Sequence, residues 1–135
     1  MPQFYSQAAT DAGVAANCDP FTRAYIEAIY FTDTGDSEQP DSETPLHDSA
    51  LASIIEDCAD FQRGNAILLA RAYARTGYTP AQAGHDLWLT RNRHGAGFWD
   101  RGQLQKDGLG RALTEFAHAY GERYVTESDG FLYVE

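Results

Sequence analysis

Between Gly84 and Gly102 the chain reads GHDLWLTRNRHGAGFWDRG, and these nineteen residues hold both tryptophans, two of the four histidines, three arginines and two aspartates. His85, Asp86, His94 and Asp100 are donor types for zinc or another divalent ion. If the chain is an enzyme, His85, Asp86 and His94 are its candidates for proton transfer. Arg91, Arg93 and Arg101 suit an anionic ligand, because a guanidinium offers paired donors in one plane to phosphate or carboxylate. Phe98 and Trp99, set among those arginines, give the aromatic-arginine mixture of protein-binding hot spots.

Each reading has an ordinary competitor. His85 and Asp86 are neighbours and diverge by about 100° on a helix, so both do not easily serve one ion, and neither HExxH nor a cysteine-based ligand set is present. The expectation is no metal and no cofactor, with the His85 ring between Trp88 and a neighbouring helix. His94-Gly95-Ala96-Gly97 bares backbone amides, yet the Walker pattern and the dinucleotide fingerprint are both missing. The arginines are expected to pair with Asp86, Asp100 and the acidic N-terminal half. Asp86 and Arg93 would share a helix face if the helix lasts that long. Cys18 and Cys58 have neither metal spacing nor disulfide-scaffold density, which predicts free thiols with Cys58 buried on a helix; a Cys18–Cys58 disulfide is the alternative.

Charge is unevenly spread over the 135 residues, whose formal net charge is -10. Residues 1–60 hold twelve acidic side chains and one basic, residues 61–111 eight basic and three acidic, and the last 24 residues five acidic and one basic. This two-signed pattern opposes a phosphate-tracking surface and disfavours nucleic acid as a partner. Solubility with internal pairing is one account of it, and carboxylates placed to mimic DNA phosphates are another. No basic stretch followed by an apolar run opens the chain, and no apolar run approaches the ~18 residues of a spanning helix, which predicts neither a secretory leader nor a membrane partner.

The elements that must position the central segment are mostly helical. Asp19-Pro20 predicts a capped helix carrying Phe21, Tyr25, Ala28 and Ile29 and ending near Thr32. Residues 33–47, DTGDSEQPDSETPLH, predict an exposed and flexible acidic loop without the spacing of a calcium site. A second helix starts near Asp48 or Ser49, buries Leu51, Ile54, Ile55, Cys58 and Phe61, and breaks at Gly64-Asn65. More helix follows from Ile67 to Ala74. Thr79-Pro80 starts a helix that runs out around Asn92. His94 to Asp107 is loop by composition. Leu109, Leu113, Phe116, Ala117 and Tyr120 form a core stripe, and Arg123–Thr126 with Phe131–Val134 predict a hairpin that lies against the helices or pairs with an N-terminal strand.

The central motif resembles a family of small acidic bacteriophage and prophage proteins. The shared signature is Gly84-His85-Asp86-Leu87-Trp88-Leu89-Thr90-Arg91-Asn92, then Arg93, then His94-Gly95-Ala96-Gly97-Phe98-Trp99-Asp100-Arg101-Gly102. Leu87 stands where an aromatic is more usual in that family, and Arg93 where glycine is. If the family needs an unusual backbone angle at the latter position, arginine adopts it at a cost. The likeness extends over most of residues 21–135. It implies a phage or prophage origin and a task in the host cytoplasm, and it brings no catalytic role or cofactor.

The combined expectation is a helix-rich α+β single domain over residues 1–135 with a short C-terminal β-hairpin, its centre locked by both tryptophans. The expected function is that of a phage accessory protein occluding a bacterial host protein, with Arg91, Arg93, Phe98, Trp99 and Arg101 as the binding surface. The alternatives are an enzyme or small-molecule binder using His85, Asp86 and His94, and a structural virion component.

Overall fold

The structure, a computed structural model, describes residues 18–135. Over that range the chain is a helix-rich α+β domain: α1 (Pro20–Asp33), α2 (Asp48–Gly64), α3 (Ala66–Tyr73), α4 (Pro80–Arg91), α5 (Leu109–His118), then β1 (Val125–Ser128) and β2 (Phe131–Val134). The expected caps are in place. Asp19 accepts the Thr22 N–H at 2.8 Å, and Thr79 Oγ1 accepts the Gln82 N–H at 3.1 Å, each satisfying an amide that has no partner inside its helix. Pro20 and Pro80 occupy first-turn positions where no N–H is needed. The cap of α2 was not foreseen: His47 Nδ1 accepts the Ser49 N–H at 3.1 Å.

Helices α1 and α4 lie closest together. A Cβ on Gly84 would come 1.9 Å from the carbonyl oxygen of Phe21, so only glycine permits this approach. Around the crossing, Phe21, Tyr25, Ile29, Phe61, Leu87 and Trp88 form the centre of one core. The α2–α3 break falls at Asn65, as expected, where the Asn65 amide donates back to the Phe61 carbonyl.

Two readings are corrected. Phe116 is 51% exposed, because α5 turns Leu109, Leu113 and Ala117 inward instead. The segment after His94 is no plain loop but carries three single-turn 3-10 helices that bury Phe98 and Leu104. The hairpin is antiparallel, Val125 opposite Val134 and Ser128 opposite Phe131, around Asp129-Gly130 with φ of 53° and 82°. Positive φ at both turn residues is what a two-residue type I′ connection requires. Its described outside partner is the end of the acidic loop: Leu46 bridges Leu132, and the Leu132 N–H donates to the Pro45 carbonyl at 2.7 Å. Any pairing with residues 1–17 lies outside the described residues.

Candidate functional site

The signature segment is mostly scaffold. Asp86 is completely buried. Arg101 Nη2 meets its Oδ1 at 2.6 Å, Arg101 Nε meets both oxygens at 3.0 and 3.1 Å, and the Tyr78 hydroxyl donates to Oδ2 at 2.8 Å. The hydrogen bonds to Asp86 raise the Arg101 pKa, while burial, helped by the adjacent carboxylate, pushes that of Tyr78 far up. The expected pairing of Asp86 with Arg93 does not form. Arg93 lies beyond the helix at φ 58°, 3.7 Å from Glu122.

Arg91 makes the expected pair with the acidic N-terminal half, and its place on the binding surface is a second correction. Its side chain is 2% exposed and held at every nitrogen: Nη1 to Asp57 at 2.9 Å and Tyr25 at 3.2 Å, Nε to the Gly121 carbonyl at 2.8 Å, Nη2 to the Tyr120 carbonyl at 2.9 Å. Arg123 approaches the same Asp57 oxygen at 2.8 Å. A guanidinium this buried and engaged at each nitrogen is not presented to a partner, so Arg91 and Arg101 are ties between elements. Phe98 is the third: its ring is buried and stacked on Phe61 at 5.9 Å. Thr90 fixes its backbone by accepting the Phe98 N–H, and a Cβ on Gly97 would strike that same hydroxyl.

The proposed donor set does not converge. His85 stands half-exposed with its ring 6.3 Å from Phe31, and burial lowers its pKa. Asp100 accepts the Gly97 N–H at 2.9 Å. His94 Nε2 is enclosed 3.5 Å from Asp33 Oδ2, misaligned for a hydrogen bond, and that oxygen also receives Trp88 Nε1 at 2.8 Å. Among the described residues no group of three or more His, Cys, Asp or Glu side chains is placed to hold a metal ion. Burial pushes the Cys58 thiol up, away from reactive thiolate.

Trp99 is different. It is 47% exposed, so one tryptophan locks the segment and the other does not. Its backbone is held by Gln105 Nε2, which donates to the Trp99 carbonyl at 2.8 Å. Beside it runs an open groove of about 740 Å³ lined by Trp99, Gln105, Gly108, Arg111 and Glu115 over a Leu104 floor. Sites that enclose a ligand or an anchoring side chain run to about 300–1,000 Å³. Gln105, Arg111 and Glu115 were missed by sequence reasoning. The available signal was the Arg111/Glu115 spacing, one turn apart on the side of α5 opposite the Leu109, Leu113 and Ala117 stripe.

The chain matches no family model, no curated protein and no solved structure. Among the described residues no helix is long and apolar enough to cross a membrane.

Proposed function

We propose that this chain is a small accessory protein of phage type that binds a bacterial host protein in the host cytoplasm and occludes a surface of it, docking through Trp99 and the groove along α5. The observation that carries this is the exposure of Trp99 on a segment otherwise fixed by buried ties. A large aromatic held rigidly at the surface loses little conformational freedom on binding, which is why tryptophan and arginine dominate interface energetics. Arg111 and Glu115 beside it give the groove both signs of charge, which sets register. The likeness of residues 84–102 to phage and prophage proteins supports the setting.

The test is capture from bacterial lysate by the tagged full chain and by its Trp99→Ala variant. One enriched host protein, lost with the variant while the thermal transition stays put, is the expected result. Equal capture by both chains would overturn the docking face. A stoichiometric metal or nucleotide in place of a captured protein would overturn the docking reading in favour of a ligand site.

A further inference from the structure

We infer that the outer side of α5 pairs with the same side of a second copy of this chain, in an antiparallel two-fold contact that sets Arg111 of each copy against Glu115 of the other. The inference rests on the reading of this face as a docking face and names its occupant when the protein is alone.

The argument starts from the helical wheel. Leu109, Leu113 and Ala117 of α5 are buried. The opposite arc presents Arg111 and Glu115 on the flank beside the groove, with Ala112 and Phe116 on the other flank, at about 100° per residue. When two copies of a helix pack antiparallel about a two-fold axis, like flanks meet and positions symmetric about the axis face each other. An axis crossing near residues 113 and 114 therefore sets 111 against 115 on one flank and 112 against 116 on the other.

Both matches are complementary. Arginine meets glutamate twice, once for each copy. Phe116, 51% exposed and with no other cover on its outer side, meets the small Ala112. A large side chain over a small one is how helix ridges enter grooves at separations of about 8–10 Å. Neither Arg111 nor Glu115 makes an ion pair among the described residues, so both charges remain to be used. Trp99 rims the charged flank and would shield those pairs from water, which strengthens them.

The contact is small. Ten residues of helix span about 15 Å, and a standard interface needs about 800 Å² from each partner. The pair is therefore weak and depends on concentration.

Sedimentation equilibrium of the full chain from micromolar to millimolar is the experiment, with Arg111→Glu and Glu115→Arg as separate variants and as an equimolar mixture. Wild type should self-associate, and each variant alone should stay monomeric because like charges then face one another twice. The mixture should associate again, since one variant carries two glutamates and the other two arginines at the facing positions. That recovery cannot come from misfolded chains, and circular dichroism of each variant checks the fold directly. A wild type that stays monomeric throughout, or a mixture no more associated than its components, overturns the inference. Absent self-pairing with Trp99-dependent host capture intact would remove only the second copy; intact self-pairing with Trp99-independent capture would remove only the host-docking face.

Discussion

Arg101 clamps the buried carboxylate of Asp86 from fifteen residues further along the chain, with contacts at 2.6, 3.0 and 3.1 Å. Asp86 belongs to α4 and Arg101 follows the 3-10 turn Phe98–Asp100. The ion pair therefore fixes where that turn leaves the domain, and with it the position of Trp99, two residues before the arginine. What looked in isolation like an acid and an anion site is a tie that presents an aromatic.

The first prediction concerns that tie. Removing one partner of a buried ion pair costs about 3–5 kcal/mol, because the other charge is left without compensation. The Arg101 side chain is 27% exposed, so water partly relieves the loss and the low end of that range applies. Arg101→Met is thus expected to destabilise by about 3 kcal/mol, and adding Asp86→Leu should restore much of it. Urea unfolding of the two variants measures this. A double variant as unstable as the single one would place the cost in lost packing or in the Tyr78 hydroxyl left without Asp86, and not in a stranded carboxylate.

Gly84 gives a sharper steric expectation. An added methyl group would sit 1.9 Å from the Phe21 carbonyl oxygen, which is backbone and has no rotamer with which to yield. Overpacking costs about 1–3 kcal/mol where neighbours can shift, and here a whole helix must move. Gly84→Ala should lower the thermal midpoint strongly and weaken the near-ultraviolet dichroism of Trp88. An unchanged midpoint would mean that α1 and α4 are further apart than described.

These two cases show what the sequence carried. Local chemistry was legible: the Asp19 and Thr79 caps, the break at Gly64-Asn65 and the Asp129-Gly130 hairpin each depend on residues within a few positions. Partners distant in the chain were not. That Arg91 pairs with the acidic N-terminal half was expected, but not that its partner is Asp57, 34 residues away and at 2.9 Å. Phe98 and Trp99 are adjacent aromatics, and only the packing of a 3-10 turn against Phe61 decides which is buried. Phe116 fits the helical intervals but falls to one side of the arc centred on Leu113. His47 escaped notice as a cap because it works there only as a neutral acceptor, which is not among the usual capping groups.

The pH dependence of stability has a stated direction at His85. Burial lowers its pKa from the ordinary 6.5, and Arg101 lowers it further, against the opposing pull of Asp86 and Glu27. The unfolded chain then binds this proton more readily than the folded one. The stabilising contribution is complete above about 6.5 and is lost as pH falls toward and through the folded-state value. His85→Gln should flatten that part of the stability-pH curve. An unchanged slope between neutral and mildly acidic pH in the variant would assign the proton uptake to another group.

Arg93 adopts φ 58°, the left-handed region, just beyond the C-terminus of α4. For a residue with a Cβ that conformation costs about 1–2 kcal/mol. Glycine removes the strain but adds about 0.5–1 kcal/mol of backbone entropy to the unfolded chain. The Arg93–Glu122 contact, 3.7 Å between side chains 60% and 40% exposed, adds about 0–1 kcal/mol to the arginine's side. Arg93→Gly should accordingly lie between about 1 kcal/mol less and about 1.5 kcal/mol more stable than wild type. Arg93→Val should be clearly less stable, because a β-branched side chain tolerates positive φ worst. Denaturant titration of both variants checks the order. A glycine variant weaker than wild type by more than about 1 kcal/mol would show that the arginine side chain holds the α4 terminus through contacts stronger than an exposed ion pair.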